Sequence, residues 1–370
     1  MPANMKRSDD FTVLPGRKDD PLAREVSEYL RKELAPVDFI RFRGKGMLGG
    51  ETLQLIRENL RGKFVYIVWS ILNTNDELIQ ILQLISTVKR TGKAFHAVLV
   101  TPEYPYARQD KSHARRECIS ARLVGDLLEV AGLDHIITMT LHSEQIEGFF
   151  RSVDHLKDVP LMASYLSTRY NALCRKLGLK PGEDNLVVMS PDEGGVRHAE
   201  EFGRNCHPWT GQMAFAMQQR DRSAQHKKRI IGAVGDVQGK IVAIPDDILA
   251  SGSTLFNAAR AAKEAGALHV IGFCAHALGF GSPAGDGHVK SFGDSLSESQ
   301  LDELVVTDSR PDFVEEALAN PKMRQKVSVI SVVPYLAEAI RRDMRGETIR
   351  EMIRSSNIKD LYYEKHRAGA

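Results

Sequence analysis

IVAIPDDILASGSTL (241–255) runs from an apolar strand into two adjacent carboxylates, Asp246 and Asp247, then a string of small residues and the start of a helix. Ala250, Ser251, Gly252, Ser253 and Thr254 have little side-chain bulk, so backbone N–H groups can approach a ligand, and a helix N-terminus favours an anion. Two carboxylates at a strand end suit the vicinal hydroxyls of a ribose. Together these features describe a sugar-phosphate site at the carboxyl end of a parallel strand, where open α/β sheets take their ligands. The competing reading is a capped turn, with Ser253 or Thr254 as N-cap and the Asp pair solvated.

Working outward, strand-like runs alternate with helical patterns, which argues for parallel sheets covered by helices. The strand candidates are VDFIRF (37–42), FVYIVWS (64–70), AFHAVLVTP (94–102), HIITMTL (135–141), NLVVMS (185–190), HVIGFCAHAL (269–278), ELVVTD (303–308) and VSVISVV (327–333), with IVAIP (241–245) the clearest. Helical spacing marks 20–34, 76–90, 121–132, 162–177, 255–266 and a last helix from Pro334. The α/β rhythm occurs in two similar halves that meet near 150–160. Between 205 and 230 the pattern dissolves into polar and basic residues, the mark of a mobile loop. Residues 1–10 and 355–370 read as loose tails.

Composition bounds the possibilities. The chain has 370 residues, 42% of them hydrophobic and 26% charged, ordinary values for a globular protein of two domains. Fifty Lys+Arg against 48 Asp+Glu give +2, too balanced for a dedicated nucleic-acid binder. No apolar run reaches the ~18–20 residues that span a bilayer, and no apolar segment follows the charged N-terminus as a secretory signal would require. Cys118, Cys174, Cys206 and Cys274 are far apart, which fits reduced cytosolic thiols better than a zinc site or a disulfide framework. The expectation is a cytoplasmic α/β enzyme or binding protein.

Three other segments can carry chemistry. Ser190-Pro-Asp-Glu-Gly-Gly follows an apolar strand; Asp192 can hold a magnesium ion and the Gly194–Gly195 amides can face phosphate oxygens, unless this is an ordinary Gly-Gly turn. Tyr104-Pro-Tyr-Ala-Arg-Gln-Asp-Lys, with Arg115, Arg116 and Glu117 after it, is either a polyphosphate clamp or a solvated charged loop. His142 ends a strand and is a candidate metal ligand or a capped histidine. Gly44-Lys-Gly46-Met-Leu-Gly49 matches G-x-G-x-x-G, but no acid ends the next strand, so a dinucleotide fold is not expected.

These residues resemble the ribose-phosphate diphosphokinases, or PRPP synthetases, over about 12–352. The blocks are ENLRGK (58–63), YARQD (106–110), 116–132, Leu141-His142, QIEGFF (145–150), VDHL (153–156), SPDEGG (190–195), GDVQGK (235–240), LDELVVTD (301–308) and LAEAIRR (336–342). The resemblance implies an α/β fold of two phosphoribosyltransferase-like (type I) domains, each a mostly parallel sheet flanked by helices. They would be 11–157 on the ATP side, joined by the helix 334–352, and 158–333 on the ribose-5-phosphate side. It also implies a homo-oligomer, usually a hexamer built from dimers, and transfer of the diphosphoryl group of ATP to the 1-hydroxyl of ribose 5-phosphate. By the same resemblance Arg108, Gln109 and Asp110, with Glu51, meet ATP, while His142 and Asp192 bind magnesium. Asp246, Asp247, Ser251, Gly252, Ser253 and Thr254 take ribose 5-phosphate, and Arg220 and Arg222 steady the moving phosphoryl charge.

The chain departs from the family at functional positions. Arg220 replaces a catalytic lysine, Thr140 an Asp before the metal-binding His, Ala250 an Asp, Ser251 a Thr, Ser253 a Gly, and Cys118 a Pro. Met47-Leu-Gly-Gly-Glu51 keeps the Glu of an adenine-contacting segment but lacks its aromatic ring and its Asp. Three readings stay open on the sequence: an active divergent synthetase, a noncatalytic binding subunit, and a diphosphokinase with an altered donor or sugar acceptor.

Overall fold

The computed structural model describes residues 11–42, 50–72, 74–112, 114–182, 185–206, 212–220, 228–283, 288–354 and 361–368. The chain divides into two compact units, Met1–Lys157 with Val332–Ser355, and Asp158–Ser331 with Ser356–Ala370.

The strands of the first unit are β1 (Phe11–Pro15), β2 (Val37–Arg41), β3 (Thr52–Ile56), β4 (Phe64–Val68), β5 (His96–Thr101), β6 (His135–Met139) and β7 (Val153–Leu156). Five form a parallel sheet in the order β1-β4-β5-β6-β7, while β2 and β3 pair with each other as an antiparallel hairpin. Strands covered on both faces read as unbroken apolar runs, and β6 is buried at all five of its positions. Helix α1 (Pro21–Leu30) starts where Asp20 Oδ1 accepts the Leu22 and Ala23 amides at 3.1 and 3.4 Å, with proline at the first helical position. Its stripe Leu22, Ala23, Val26 and Leu30 is buried. Helices α2 (Thr74–Ser86) and α3 (Ser120–Ala131) complete this part of the unit.

The second unit continues with α4 (Val159–Lys176), β8 (Leu186–Ser190), α5 (Val196–Asn205), β9 (Gln212–Arg220), β10 (Lys228–Val234), β11 (Ile241–Leu249), α6 (Ser253–Glu264) and β12 (His269–Ala277). After the short pair β13 (Ser282–Pro283) and β14 (Val289–Lys290) come α7 (Phe292–Glu298), β15 (Glu303–Thr307), α8 (Pro311–Ala319), α9 (Pro321–Arg324) and β16 (Val327–Ile330). The sheet order is β10-β9-β8-β11-β12-β15-β16-β17, where β17 is Glu364–His366; it is parallel from β9 to β16 and antiparallel at both edges. Buried Leu255, Ala258, Ala259, Ala261 and Ala262 let α6 lie close to the sheet beside Val242 and Ile244. The chain then returns to the first unit as α10 (Val333–Arg345) and α11 (Ile349–Arg354). There α10 buries Leu336, Ala339 and Ile340, packs on α1, and receives a hydrogen bond from Tyr66 Oη to Asp343 Oδ2 at 2.6 Å.

Several local expectations need correction. The helix expected over 76–90 stops at Ser86 and passes into a π turn over Thr87–Thr91. There Thr87 and Thr91 hydroxyls donate to carbonyls four residues back, at 2.9 and 3.0 Å, a pattern that disturbs helical continuation. The strand at 37–42 belongs to a separate hairpin. The strand beginning at Ile241 does not end at Pro245 but runs to Leu249, so Asp246 and Asp247 lie within it. The 205–230 region, read as one loop, carries the paired strands β9 and β10, and the tail after 355 carries β17. Residues 1–10, 355–360 and the glycines of the 44–49 motif lie outside the described residues.

Candidate functional site

The carboxyl edge of the second sheet holds the segments on which the sequence reading turned. At the end of β8, Asp192 Oδ1 accepts the Gly194 and Gly195 amides at 2.9 and 3.0 Å, while Ser190 Oγ donates to the Asp192 carbonyl at 2.7 Å. This Asx turn orients the Asp192 carboxylate and starts α5 directly behind it. At the end of β11, the Asp247 amide donates to Asp246 Oδ1 at 3.0 Å. The register Asp246↔Cys274 and Ile248↔His276 extends the ladder with β12 past the acid pair.

The loop after the acids is braced by that neighbour: the Leu278 amide donates to the Leu249 carbonyl and the Phe280 amide to the Ala250 carbonyl, each at 2.8 Å. Gly252 then caps α6 with φ +76°, and a Cβ there would fall 2.5 Å from the Phe256 ring. Only glycine meets both demands. Ser251 Oγ donates to Ser253 Oγ at 3.3 Å, and Ser253 and Thr254 form the first turn of the helix. Such a turn leaves N–H groups without intrahelical acceptors, an arrangement suited to a phosphate.

The electrostatics of this edge involve a residue that the sequence reading passed over. His198, in the first turn of α5, has Nε2 at 3.1 Å from Oδ1 of buried Asp158. Burial alone would lower its pKa, but Asp158, Asp247 and Asp246 outweigh burial and push it up to about 9. The Asp246 carboxyl is held well above the usual carboxylate range by burial, then by the charge and hydrogen bonding of Asp247; His198 opposes the rise and Asp192 adds to it. Cys274 beneath the pair is a buried thiol raised by burial and by Asp246, Asp247 and Asp158, and is therefore no nucleophile at neutral pH. Nothing in the spacing marks His198, because its importance comes from the side chains of two other elements.

In the first unit, Arg108, Gln109 and Asp110 lie in the loop after β5, and His142 lies just past its neighbour β6. Arg108 and Gln109 are exposed, whereas Asp110 is buried. The Gln109 amide donates to the Tyr106 carbonyl at 2.8 Å, its carbonyl accepts the Ala121 amide at 3.2 Å, and its side chain accepts from Ser120 Oγ. This loop is therefore tied to the start of α3. His142 is exposed, and the backbone that delivers it turns at Thr140 with φ +46°, a costly conformation for a β-branched residue. The turn is held by the Thr140 amide on the Leu156 carbonyl at 2.8 Å and by the Leu141 amide on His155 Nε2 at 2.9 Å. His155 Nδ1 in turn donates to Glu147 Oε1 at 2.6 Å. The Glu147–His155 pair is a second feature that the sequence reading missed.

Glu51 is exposed at the loop end of the β2–β3 hairpin, where its carbonyl accepts the Phe42 amide at 2.9 Å. Arg220 ends β9 opposite Lys228, while Arg222 and Met47–Gly49 lie outside the described residues. The structure thus gathers Asp192, Asp246, Asp247 and the 251–254 turn at one sheet edge, and puts the 108–110 loop and His142 at adjacent strand ends of the other unit.

Comparison with known proteins agrees with this architecture. Residues 11–132 match the N-terminal domain of ribose phosphate pyrophosphokinase, and residues 187–354 match the phosphoribosyl synthetase-associated domain. The chain is 33% identical to a ribose-phosphate pyrophosphokinase of Ralstonia nicotianae over 349 residues, covering 92% of this chain and 98% of that one. It is 30% identical to that of Corynebacterium glutamicum over 367 residues, covering 98% and 99%. The crystal structure of phosphoribosylpyrophosphate synthetase from Mycobacterium smegmatis superposes with a TM-score of 0.75 at 31% identity, covering 91% of this chain and 99% of that one. With both matched segments lying on the strands and loops described above, the chain belongs to the ribose-phosphate pyrophosphokinase family.

Proposed function

We propose that the chain transfers the β,γ-diphosphoryl group of ATP to the C1 hydroxyl of ribose 5-phosphate, giving PRPP and AMP for nucleotide biosynthesis. The observation that carries this reading is the end of β11, where an acid pair and a glycine-capped helix start stand together. Asp246 and Asp247 accept the sugar's vicinal hydroxyls, and the amides of the 251–254 turn take the 5-phosphate. The C1 oxygen attacks the β-phosphorus, the bond from that phosphorus to the α,β-bridging oxygen breaks, AMP leaves, and the C1 hydroxyl loses its proton. Arg108 and Gln109 bind the nucleotide, with Asp110 holding the loop from its buried position; Glu51 contributes toward the base. Arg220 and Arg222 bring positive charge to the moving group, which in this chemistry needs positioning and neutralisation more than covalent help. The first unit then serves ATP and the second serves the sugar phosphate.

Magnesium suits the donors present. Asp192, in the second unit, offers an oriented carboxylate of the kind a hard cation prefers, and His142, in the first, an exposed imidazole. Bound magnesium would neutralise the phosphate chains. Asp192 would hold it on the second unit and His142 on the first, and the Gly194 and Gly195 amides keep the Asp192 carboxylate aimed.

We also infer a homo-oligomer. Leu123, Leu127 and Val130 form an exposed apolar stripe on α3, and Ile40, Leu53 and Leu55 an exposed apolar face on the hairpin, more than a solitary surface needs. No helix among the described residues is long and apolar enough to cross a membrane. Cysteines that stay unpaired suit a cytoplasmic setting.

Incubation with magnesium, ATP and ribose 5-phosphate, with the products separated by chromatography, tests the proposal. AMP and PRPP in equal amounts are expected. Neither product, with both ligands bound, would make the chain a binding subunit instead; AMP without PRPP would point to another acceptor.

A further inference from the structure

At the amino ends of the first unit's strands, opposite the edge that carries the 108–110 loop and His142, three metal-ligating side chains converge. His135 begins β6, Asp154 is the second residue of β7, and Asp343 lies in the last turn of α10. One ligand atom from each lies within 4.8 Å of the other two, and His135 Nε2 is 3.0 Å from Asp154 Oδ2. Two ligands of a tetrahedral ion bound at about 2.0–2.1 Å stand roughly 3.3 Å apart, so the three donors need little movement to share one cation. Each is also held from outside the triad. His135 Nδ1 lies 2.7 Å from Ser152 Oγ, which fixes the ring and leaves Nε2 to the acids, and His96 of β5 stacks beside it with centroids 6.5 Å apart. Tyr66 Oη, from β4, donates to Asp343 Oδ2 at 2.6 Å. Metal-binding imidazoles and carboxylates are oriented by outer partners of this kind. An ion pair explains His135 with Asp154, but not the second carboxylate that a helix from far along the chain brings to the same imidazole. The His135 side chain is 8% exposed and that of Asp154 34%, so the imidazole is sheltered while an ion has a way in.

We propose that His135, Asp154 and Asp343 form a binding site for a transition-metal dication of the zinc class, separate from the magnesium proposed above. One imidazole and two carboxylates suit Zn²⁺ better than Mg²⁺, which favours octahedral shells of oxygen alone. Water takes the fourth position. The ion acts as a clasp: it ties α10, which follows the second unit in the chain, to β6 and β7 of the first. It takes no part in diphosphoryl transfer, because β6 spans ~13 Å from His135 to Met139 and His142 lies beyond that far end.

The test uses the full-length protein, stripped of metal by chelation and kept reduced. Zn²⁺ alone is titrated by calorimetry and added in thermal melts, for wild type, Asp343→Asn, His135→Gln and the double variant His142→Ala with Asp192→Asn. Wild type should take up one tight zinc per chain and melt higher with it. Asp343→Asn and His135→Gln should each weaken that binding at least about a hundredfold and lose the rise in melting temperature, since even the outer partners of a metal are worth roughly ten- to a hundredfold. The double variant should keep both. No tight zinc in wild type, zinc binding unchanged in Asp343→Asn, or its loss in the double variant would each overturn the proposal. If the triad variants fail to fold, zinc-soaked wild-type crystals measured at the zinc absorption edge decide the matter. An anomalous peak between His135, Asp154 and Asp343 supports the site; zinc found only elsewhere, at Cys118 or His142 for example, overturns it.

Discussion

Replacing His155 by alanine removes the acceptor that holds the turn before His142. The imidazole is 5% exposed, accepts the buried Leu141 amide at 2.9 Å and donates to Glu147 at 2.6 Å. Burial lowers its pKa, and only the neutral ring can accept at Nε2, so the tautomer is fixed by its two partners. Loss of the acceptor leaves a buried N–H unsatisfied, at about 1–3 kcal/mol. The left-handed backbone at Thr140 holds a further ~1–2 kcal/mol that the freed turn can release by moving away. A bias of about 1.4–2.8 kcal/mol against the observed turn, within the range of the lost hydrogen bond alone, leaves it populated at roughly one part in ten to a hundred. The magnesium concentration for half-maximal turnover should then rise about ten- to a hundredfold, since His142 is delivered by this turn. Glu147→Gln, which keeps an acceptor for Nδ1–H, should cost less than half as much. Adding Thr140→Gly to His155→Ala should restore part of the loss, because glycine adopts the positive φ without strain. The assay is a magnesium titration of turnover alongside thermal melts. A His155→Ala protein with reduced melting temperature and an unchanged magnesium requirement would refute the reasoning.

Gly252→Ala should destabilise the second unit by about 2–4 kcal/mol, combining positive-φ strain with overpacking, because its Cβ falls 2.5 Å from the Phe256 ring. Denaturant melts read this loss, and KM for ribose 5-phosphate should rise with it. The folded pKa of His198 lies above its ordinary value, so its stabilising contribution is complete below pH 6.5 and lost as pH rises through about 9. Chemical denaturation across that window should show stability falling in wild type and a flatter profile in His198→Gln. Arg220→Ala should lower kcat by roughly 10²–10³ while both KM values stay within a few-fold, as expected for a charge used mainly in the transition state.

How much of this was legible in the sequence depended on how local the determinants were. The parallel strands announced themselves because burial on both faces makes continuous apolar runs, as in HIITM and LVVMS. Pro245 suggested the end of its strand, yet the ladder to β8 has already ended at Ala243 while the ladder to β12 continues to Leu249. A proline is tolerated where one edge of the strand has no partner. The edge strands β10 and β17, and β9 beside β10, were hidden in segments flanked by polar and basic residues, and the run of β2 resembles a strand of the parallel sheet although its partner is the hairpin strand β3. The loop bearing Asp192 and the strand segment bearing Asp246–Asp247 were visible from their residues alone. His198 and the Glu147–His155 pair were not, because they depend on contacts with Asp158 and Leu141 that only the fold creates.

The central claim is that a diphosphoryl group moves intact from ATP to the sugar. Turnover of γ-³²P-labelled ATP with magnesium and ribose 5-phosphate tests it most directly. The account predicts that label appears in PRPP, in step with unlabelled AMP, and that little is released as phosphate or pyrophosphate. Label recovered only as phosphate or pyrophosphate, with ribose 5-phosphate unchanged, would contradict it.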